Sequence, residues 1–460
     1  MLPDATEGMT ELHAEGAAGD VASIEVSAIE PLPAMLEPPR AALAAARAEV
    51  GLPTDRPIVM SGHQAELWHA GILAKLIAAA ALAERLDAAL VWLVPDQDAH
   101  EPTVIPYPAE THEGRLRRRE WIAAPDQFVR PGTATCARPA IEPAATPRRA
   151  RTEWPHARAE CGLESMRSAL ARHASAGNAA AQFTAAALEL AEESTGVRGV
   201  DRLHASELSR GHAFEMVAAR VRKDGAACVR AYNAAVGAHP DAGLRPLEDD
   251  ELPLWSIVDG APRRRVRIGD DAEGRLLPRA LLLTGHVRRL LCDVWVTGAG
   301  GARYDAATRT WLDGWLGETP LAPAVLATAT AYLPLREGPR PDPAGAERAA
   351  WRLHHAANHP EELGLDSLGA QRDELVSQID DAPHGSAERS RLFAAMRGVV
   401  RDARDAGAQQ LAELERERAA LKERLRDERV ELDRTWPFPL HDPGTLRSLA
   451  ERIRDAVGAL

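Results

Sequence analysis

A chain of 460 residues with 45% hydrophobic and 27% charged residues is globular rather than disordered, and too long for one ordinary core, so about three packing units are expected. A formal net charge of −13 and an isoelectric point near 5.7 argue against nucleic acid as the main partner, because neutralising phosphates needs a basic face. Aromatic residues make up only 4%, so much of the apolar content is small residues suited to helix–helix contact.

Residues 1 to about 30 are polar and Gly/Ala-rich and are expected to be poorly ordered at the start, so that the segment 1–50 is partly disordered. The acidic start MLPDATEGMTELHAEG lacks the basic and apolar regions of a signal peptide. From Leu52 the text changes to RPIVMSGHQAELWHAGILAKLIAAAALAERLDAALVWLVPDQDAHEP, which reads as strand, Gly-containing turn, long helix and second strand, one βαβ unit. The strands 57–60 and 89–94 are apolar throughout, as parallel strands covered on both faces must be. The stretch LAKLIAAAALAERL is soon broken by charge, so no membrane span is expected and the address is cytoplasmic.

Several prolines and the basic GRLRRREW make 101–150 an irregular or strand-rich insertion. Helical periodicity fills 160–240, interrupted by a candidate strand at 196–203. The segment LPLWSIVDGAPRRRVRIGDDAEGRLL has strand-like runs about Asp259-Gly260 and a second Asp/Gly turn, a β-hairpin or small meander. The run 291–296 repeats the earlier grammar, an apolar strand feeding a Gly-rich turn and a helix. The Arg clusters at Arg115, Arg117, Arg118 and Arg119, and at Arg263 to Arg265, read as solvated strand or loop edges rather than anion sites. Cys136, Cys161, Cys228 and Cys292 form no CxxC pair and read as reduced, mostly buried thiols, so neither a structural zinc site nor a disulfide framework is expected and no metal ligand is assigned.

After Pro334, PLREGPRPDPAG reads as a linker into helices. In one helix from about Ser386 to Arg434, Leu392, Met396, Val399, Ala403 and Ala406 step by four and three. Leu414, Leu421, Leu425 and Leu432 resume a similar seam after a slip near Gln410. So narrow a stripe on so charged a helix fits a two-helix seam. The break at DAPHGS, preceded by a helix over 347–379, predicts an antiparallel coiled-coil hairpin. The expected organisation is an N-terminal segment over 1–50, a Rossmann-like α/β parallel-sheet core with a β-hairpin insertion over 51–335, a coiled-coil hairpin over 343–435, and a closing segment over 436–460 packed on the core.

Three turns could carry chemistry. Ser61-Gly62-His63-Gln64 sits between strand and helix, where backbone N–H groups and a helix's positive end hold a phosphate or carboxylate, with His63 and Gln64 as donors to developing charge. The alternative is an ordinary turn with a satisfied histidine. Asp96-Gln97-Asp98-Ala99-His100-Glu101 follows a strand's carboxyl end, where ligands of open α/β sheets bind. Paired carboxylates there could bind Mg²⁺, orient an amine or hydroxyl, or act as a general base; the alternative is a solvated acidic loop. Gly298-Ala299-Gly300-Gly301 lacks full GxGxxG spacing and marks close backbone approach to a ligand or to neighbouring packing. His69 could join either of the first two turns or be exposed.

In order and spacing these turns resemble the bacillithiol-biosynthesis cysteine ligase family (BshC). The matching text is GHQAEL, Lys75, VWLVPDQD, then LPRALLL with CDVWVTGAGGARY, and Arg434-Thr435-Trp436 after the coiled coil. The resemblance spans about residues 57 to 440. It implies a ligase that adds cysteine to an amino-sugar conjugate, glucosaminyl-malate. Catalytic roles fall on Asp96, Asp98 and His63, and substrate or nucleotide binding on Gly62, Gln64, Lys75, Arg279, Gly298, Gly300 and Tyr304. A homodimer through the coiled coil is the implied assembly, and the cofactor stays open, with ATP or ADP as candidates. Alternatives are a nucleotidyltransferase-like ligase for another amine and acid, and a non-catalytic metabolite-binding scaffold. The chain departs from the family pattern at Gln97 (His there), His63 (Gln), Glu66 (Gly) and Gly301 (Glu). A Gln neither gains nor loses a proton near neutral pH.

Overall fold

The computed structural model describes residues 21–127, 129–148, 153–336 and 343–460, with the side chains of 343–346 left aside. The start of the N-terminal segment, where disorder was expected, and part of the expected linker lie outside these residues. The strands in chain order are β1 Val21–Ala28, β2 Ile58–Gly62, β3 Ala89–Val94, β4 Val104–Thr111, β5 Leu116–Ile122, β6 Glu153–Pro155, β7 Val200–His204, β8 Glu251–Ile257, β9 Arg264–Arg267, β10 Arg275–Pro278, β11 Val294–Thr297 and β12 Ala324–Ala331. The described residues of Met1–Glu110, Arg118–Leu335 and Asp433–Leu460 make one compact unit, and those of Thr111–Arg117 and Arg336–Leu432 make a second.

The larger unit is built on a six-stranded mixed sheet of order β1-β12-β11-β2-β3-β7. Five strands are parallel and β1 closes one edge antiparallel to β12. The sheet is therefore mixed rather than all parallel, and the N-terminal segment supplies an edge strand and the helix Ala41–Glu49. From β2 the chain moves outward through β3 to β7, then returns beside β2 to place β11 and β12 on the other side. That reversal leaves a crevice beyond the carboxyl ends of β2 and β11, the place where open α/β sheets bind ligands.

Burial explains why these runs became central strands. All six residues of β3 are buried, as are Ile58, Val59 and Met60 of β2. Alternate residues face opposite ways: Ile58, Met60, Val91 and Leu93 share a core cluster with Phe214, Tyr232 and Trp311. On the other face Trp92 meets Trp68 at 4.7 Å and lies under Lys75 of the helix Ala70–Arg85. The closing helix Pro443–Gly458 packs on that helix and on β1.

The meander read over 252–277 is a three-stranded sheet with β8 in the centre, order β10-β8-β9. The strand read at 291–296 is shorter and later, because Leu281–Leu290 continues as helix up to the turn before β11. The basic insertion forms a sheet of order β5-β4-β6.

The smaller unit is helical. The long helix read over 386–434 is two, Ala387–Ala406 and Ala408–Glu431, parted at Gly407. The partner read over 347–379 is also divided, into Pro343–Ala356 and Asp366–Asp381. Asp366–Asp381 packs on Ala387–Ala406, and Pro343–Ala356 on Ala408–Glu431. Of the seam residues, Val399 and Ala403 are buried, while Leu392, Met396, Leu414, Leu421 and Leu425 are half-buried and Ala406 is exposed. Among the described residues no helix is long and apolar enough to cross a membrane.

Candidate functional site

The crevice at the strand reversal is a cavity of about 840 Å³ in the larger unit. The turn after β2 forms its first wall. A methyl group at Gly62 would press on the Leu93 carbonyl oxygen, so only glycine lets β2 end this close to β3. The His63 amide then donates to that same carbonyl at 3.1 Å. The Trp68 indole N–H holds the Gln64 carbonyl at 3.2 Å, and His100 Nε2 lies 3.1 Å from the Ala65 carbonyl. The turn is thus fixed at both its amides and its carbonyls.

The second wall is the Gly298-Ala299-Gly300-Gly301 turn, which opens the helix Ala299–Leu316. Its N-cap, Gly298, offers no side chain to the first-turn amides, so those donors and the positive helix end face the crevice. A side chain at Gly300 would enter open space, whereas one at Gly301 would strike Thr297 Oγ1. Gly301 is therefore demanded by packing and Gly300 is not.

Gln64 Nε2 donates to Asp98 Oδ2 at 2.9 Å, and Arg263 Nη1 donates to Asp98 Oδ1 at 3.1 Å and to the Gln97 carbonyl at 2.7 Å. Arg263 and Arg279 both stack on the Trp255 ring, at 4.1 and 4.6 Å, and Arg279 also pairs with Glu251. Arg245, Arg265 and Arg434 complete a cationic rim. A guanidinium fork pinned on an indole is pre-organised for carboxylate or phosphate.

At the floor, Lys75 Nζ donates to the Gly62 carbonyl at 2.5 Å. Burial lowers the Lys75 ammonium to about 8, against the opposing pull of Asp305 and Glu66. Burial raises Asp305 to about 6, against Arg288 and its bonds from Thr297 and Trp295. Burial also keeps the Tyr304 phenol protonated well above its ordinary range. His69 is lowered to about 4, chiefly by burial, and its Nδ1 accepts from the Gly71 amide at 3.1 Å. The neutral ring therefore carries its proton on Nε2, as a donor.

Of the residues singled out from sequence, Gly62, His63, Gln64, Lys75, Asp98, Arg279, Gly298, Gly300 and Tyr304 line this one cavity. Asp96 does not. It is fully buried, accepts from the Ser206 amide at 2.8 Å and the Ser206 hydroxyl at 2.5 Å, and sits 3.5 Å from His204. Asp96 ties the end of β3 to the end of β7, so the pairing of Asp96 with Asp98 as catalytic carboxylates is corrected: the two face different surroundings. The reading of Arg263 to Arg265 as a solvated edge is corrected at Arg263, which is half-buried on Trp255; Arg264 and Arg265 are exposed, Arg265 at the rim of the cavity. Trp255 and Asp305 were not singled out, and Arg263 and Arg434 were named without a role in the cavity they line. The one available signal was Trp255 on β8 with Arg263 just before β9 and Arg279 just after β10, and it needed the pairing of β8 with its neighbours to become visible.

Among the described residues no group of three or more His, Cys, Asp or Glu could hold a metal ion. Cys136, Cys228 and Cys292 are buried and Cys161 is exposed, and none of the four lines the crevice. In comparisons with known proteins, no protein-family model matches the chain and no curated protein matches it.

Proposed function

We propose that this chain is a Rossmann-like ligase that joins an amine to a carboxylate, of the type that adds cysteine to an amino-sugar conjugate. The observation that carries the reading is the convergence of the Gly62 and Gly298 turns with the Arg263–Trp255–Arg279 stack on one crevice at the strand reversal. First-turn amides at Ala299 to Gly301 and the two stacked arginines suit an anion, the carboxylates of a malyl group or the phosphates of ATP or ADP. Gly300, with open space before it, fits the close approach such a phosphate needs. A nucleotide bound there would supply the activation of a carboxylate that amide formation in water requires.

In this reading Lys75 and the His69 Nε2–H stabilise charge at the acceptor carbonyl. Asp98 holds Gln64 and Arg263 in place rather than acting as the base, because both its oxygens are already engaged. We place the enzyme in the cytoplasm. We also take the helical unit as an antiparallel coiled-coil arm that pairs with a second copy, supported by its half-buried leucine seam and by Trp351, 62% exposed. Sedimentation at micromolar concentration reads that pairing directly.

The test of function is a panel of amines and carboxylates with ATP, read by mass spectrometry, on wild type and on R263A. An amide product in the wild type, weakened in its acid-substrate KM by R263A, is expected. If no pair gives product while a metabolite raises the melting temperature, the crevice only binds, and the ligase reading fails.

A further inference from the structure

The turn carries a pair that the mechanism above leaves unused. His63 Nε2 lies 2.9 Å from Glu66 Oε1, three residues on. Burial would raise the Glu66 carboxyl, but the bond from His63 and the nearby His100 and His69 hold it below its ordinary value, so it is a carboxylate at neutral pH. A carboxylate only accepts, so the Nε2 facing it must carry the proton. Nδ1 is left with its lone pair, and no hydrogen-bond partner for it stands among the described residues. His63 lines the crevice, while Glu66 lines a smaller neighbouring cavity behind the turn. The pair therefore bridges the two cavities, with the ring on the crevice side; an acid orienting an imidazole base is the logic of hydrolytic triads, here with the roles of the two ring nitrogens exchanged.

A second observation points to what the ring would meet. Gln97 is 2% exposed and lines the same crevice, yet its Oε1 has no hydrogen-bond partner among the described residues. A buried acceptor left open costs about 1–3 kcal/mol, and a bound N–H group would satisfy it.

We infer that Glu66 orients His63 so that the imidazole Nδ1 takes a proton from a protonated primary amine in the crevice, with Gln97 Oε1 accepting from that same amine. In the step the proton passes to Nδ1, the N–H electron pair stays on the amine nitrogen, and the imidazolium later returns its proton to water. No bond to carbon changes. The inference rests on the ligase reading only for what the freed amine attacks. His63 is the catalytic residue, and Glu66 is a positioning residue that acts through it. The charged groups facing the ring are Glu66 and His69 on its own turn, Lys75 on the helix Ala70–Arg85, and His100 after β3, with Asp98 and Arg263 reached through Gln64. Burial lowers His63 first, Glu66 opposes this, and Lys75 and His100 add to the lowering. The ring is therefore neutral and able to accept at pH 7.

The test is histidine-selective NMR on the full chain, with the His63 resonances assigned by their absence in H63Q. In the wild type the Nε2-protonated tautomer and a titration midpoint below 6.5 are expected; an Nδ1-protonated ring overturns the dyad. E66Q should lower the midpoint further, because Glu66 is the group that opposes the lowering, and a midpoint that does not move overturns Glu66 as the orienting group. The wild-type tautomer needs no variant, so it decides even if E66Q fails to fold. Saturating glucosamine, the amine probe, should shift the His63 resonances in wild type and not in Q97L. No shift in wild type overturns the amine assignment. These readouts need no turnover, so a failed ligation panel and a failed dyad are separate results.

Discussion

Acid should unfold this protein through two buried histidines far from the question of turnover. His286 and His441 are each 5% exposed, and His286 Nδ1 and His441 Nε2 have no partner among the described residues. Burial lowers both to about 4, with Arg289 adding to the effect at His286. A folded value below the unfolded value of about 6.5 means the native state binds fewer protons. The stability from each neutral ring is therefore fully present above pH 6.5 and is lost as pH falls towards 4. Each site contributes a slope of about 1.4 kcal/mol per pH unit, so moving from pH 7 to pH 5 costs about 2 kcal/mol per histidine and about 4 kcal/mol for both. His286 packs edge-on to Phe214 at 5.5 Å, an apolar setting that leucine can occupy. Urea unfolding followed by tryptophan fluorescence at pH 7 and pH 5 should show H286L and H441L each removing about 2 kcal/mol of the loss and the double variant about 4 kcal/mol, the rest staying with His69 and His63, which burial also lowers. Equal pH dependence in wild type and double variant would refute the reasoning, because other groups would then carry the titration.

Three further outcomes follow from the geometry. Asp293 joins fully buried Arg47 at 2.7 Å and accepts from the Ile58 amide at 2.7 Å, pinning the starts of β2 and β11; D293A should cost about 3–5 kcal/mol in urea unfolding, since it strands a buried guanidinium. Ala280, on the crevice wall, is held at φ 50° and ψ −127°, a region natural to glycine; A280G should raise stability by about 1 kcal/mol, and an unchanged or lowered melting temperature would contradict the strain. G300A should leave the melting temperature nearly unchanged, because its methyl meets open space, while weakening ATP or malate binding by calorimetry at least tenfold.

The elements legible in the sequence are those whose pattern is local. Ala89–Val94 could be bounded to the residue, because an unbroken apolar run between Asp87 and Pro95 admits little but a buried strand. The Gly62 and Gly298 turns were legible for the same reason: each is a small-residue break between an apolar strand and a helix. What the sequence hid depends on partners far along the chain. Asp96 and Asp98 are two residues apart and identical as text, but the turn that follows β3 at Val94 sends them apart, so one is captured by Ser206 and the other by Gln64 and Arg263. Arg263 looked like a solvated charge until Trp255 lay under it. Residues 21–28 carry no signal stronger than mild alternation, and they become a strand because β12 offers an open edge. In the helical unit, the slip noted near Gln410 is a break at Gly407, where a side chain would collide with Leu363.

The measurement closest to the central claim is a co-crystal structure with glucosaminyl-malate and ATP at saturating concentration. Ligand density is predicted between the Gly62–Gln64 turn and the Gly298–Gly300 turn, with an anionic group on Arg263, Arg279 or the first amides of the helix Ala299–Leu316. A crevice that holds only solvent at that concentration, or density confined to another part of the surface, would contradict it.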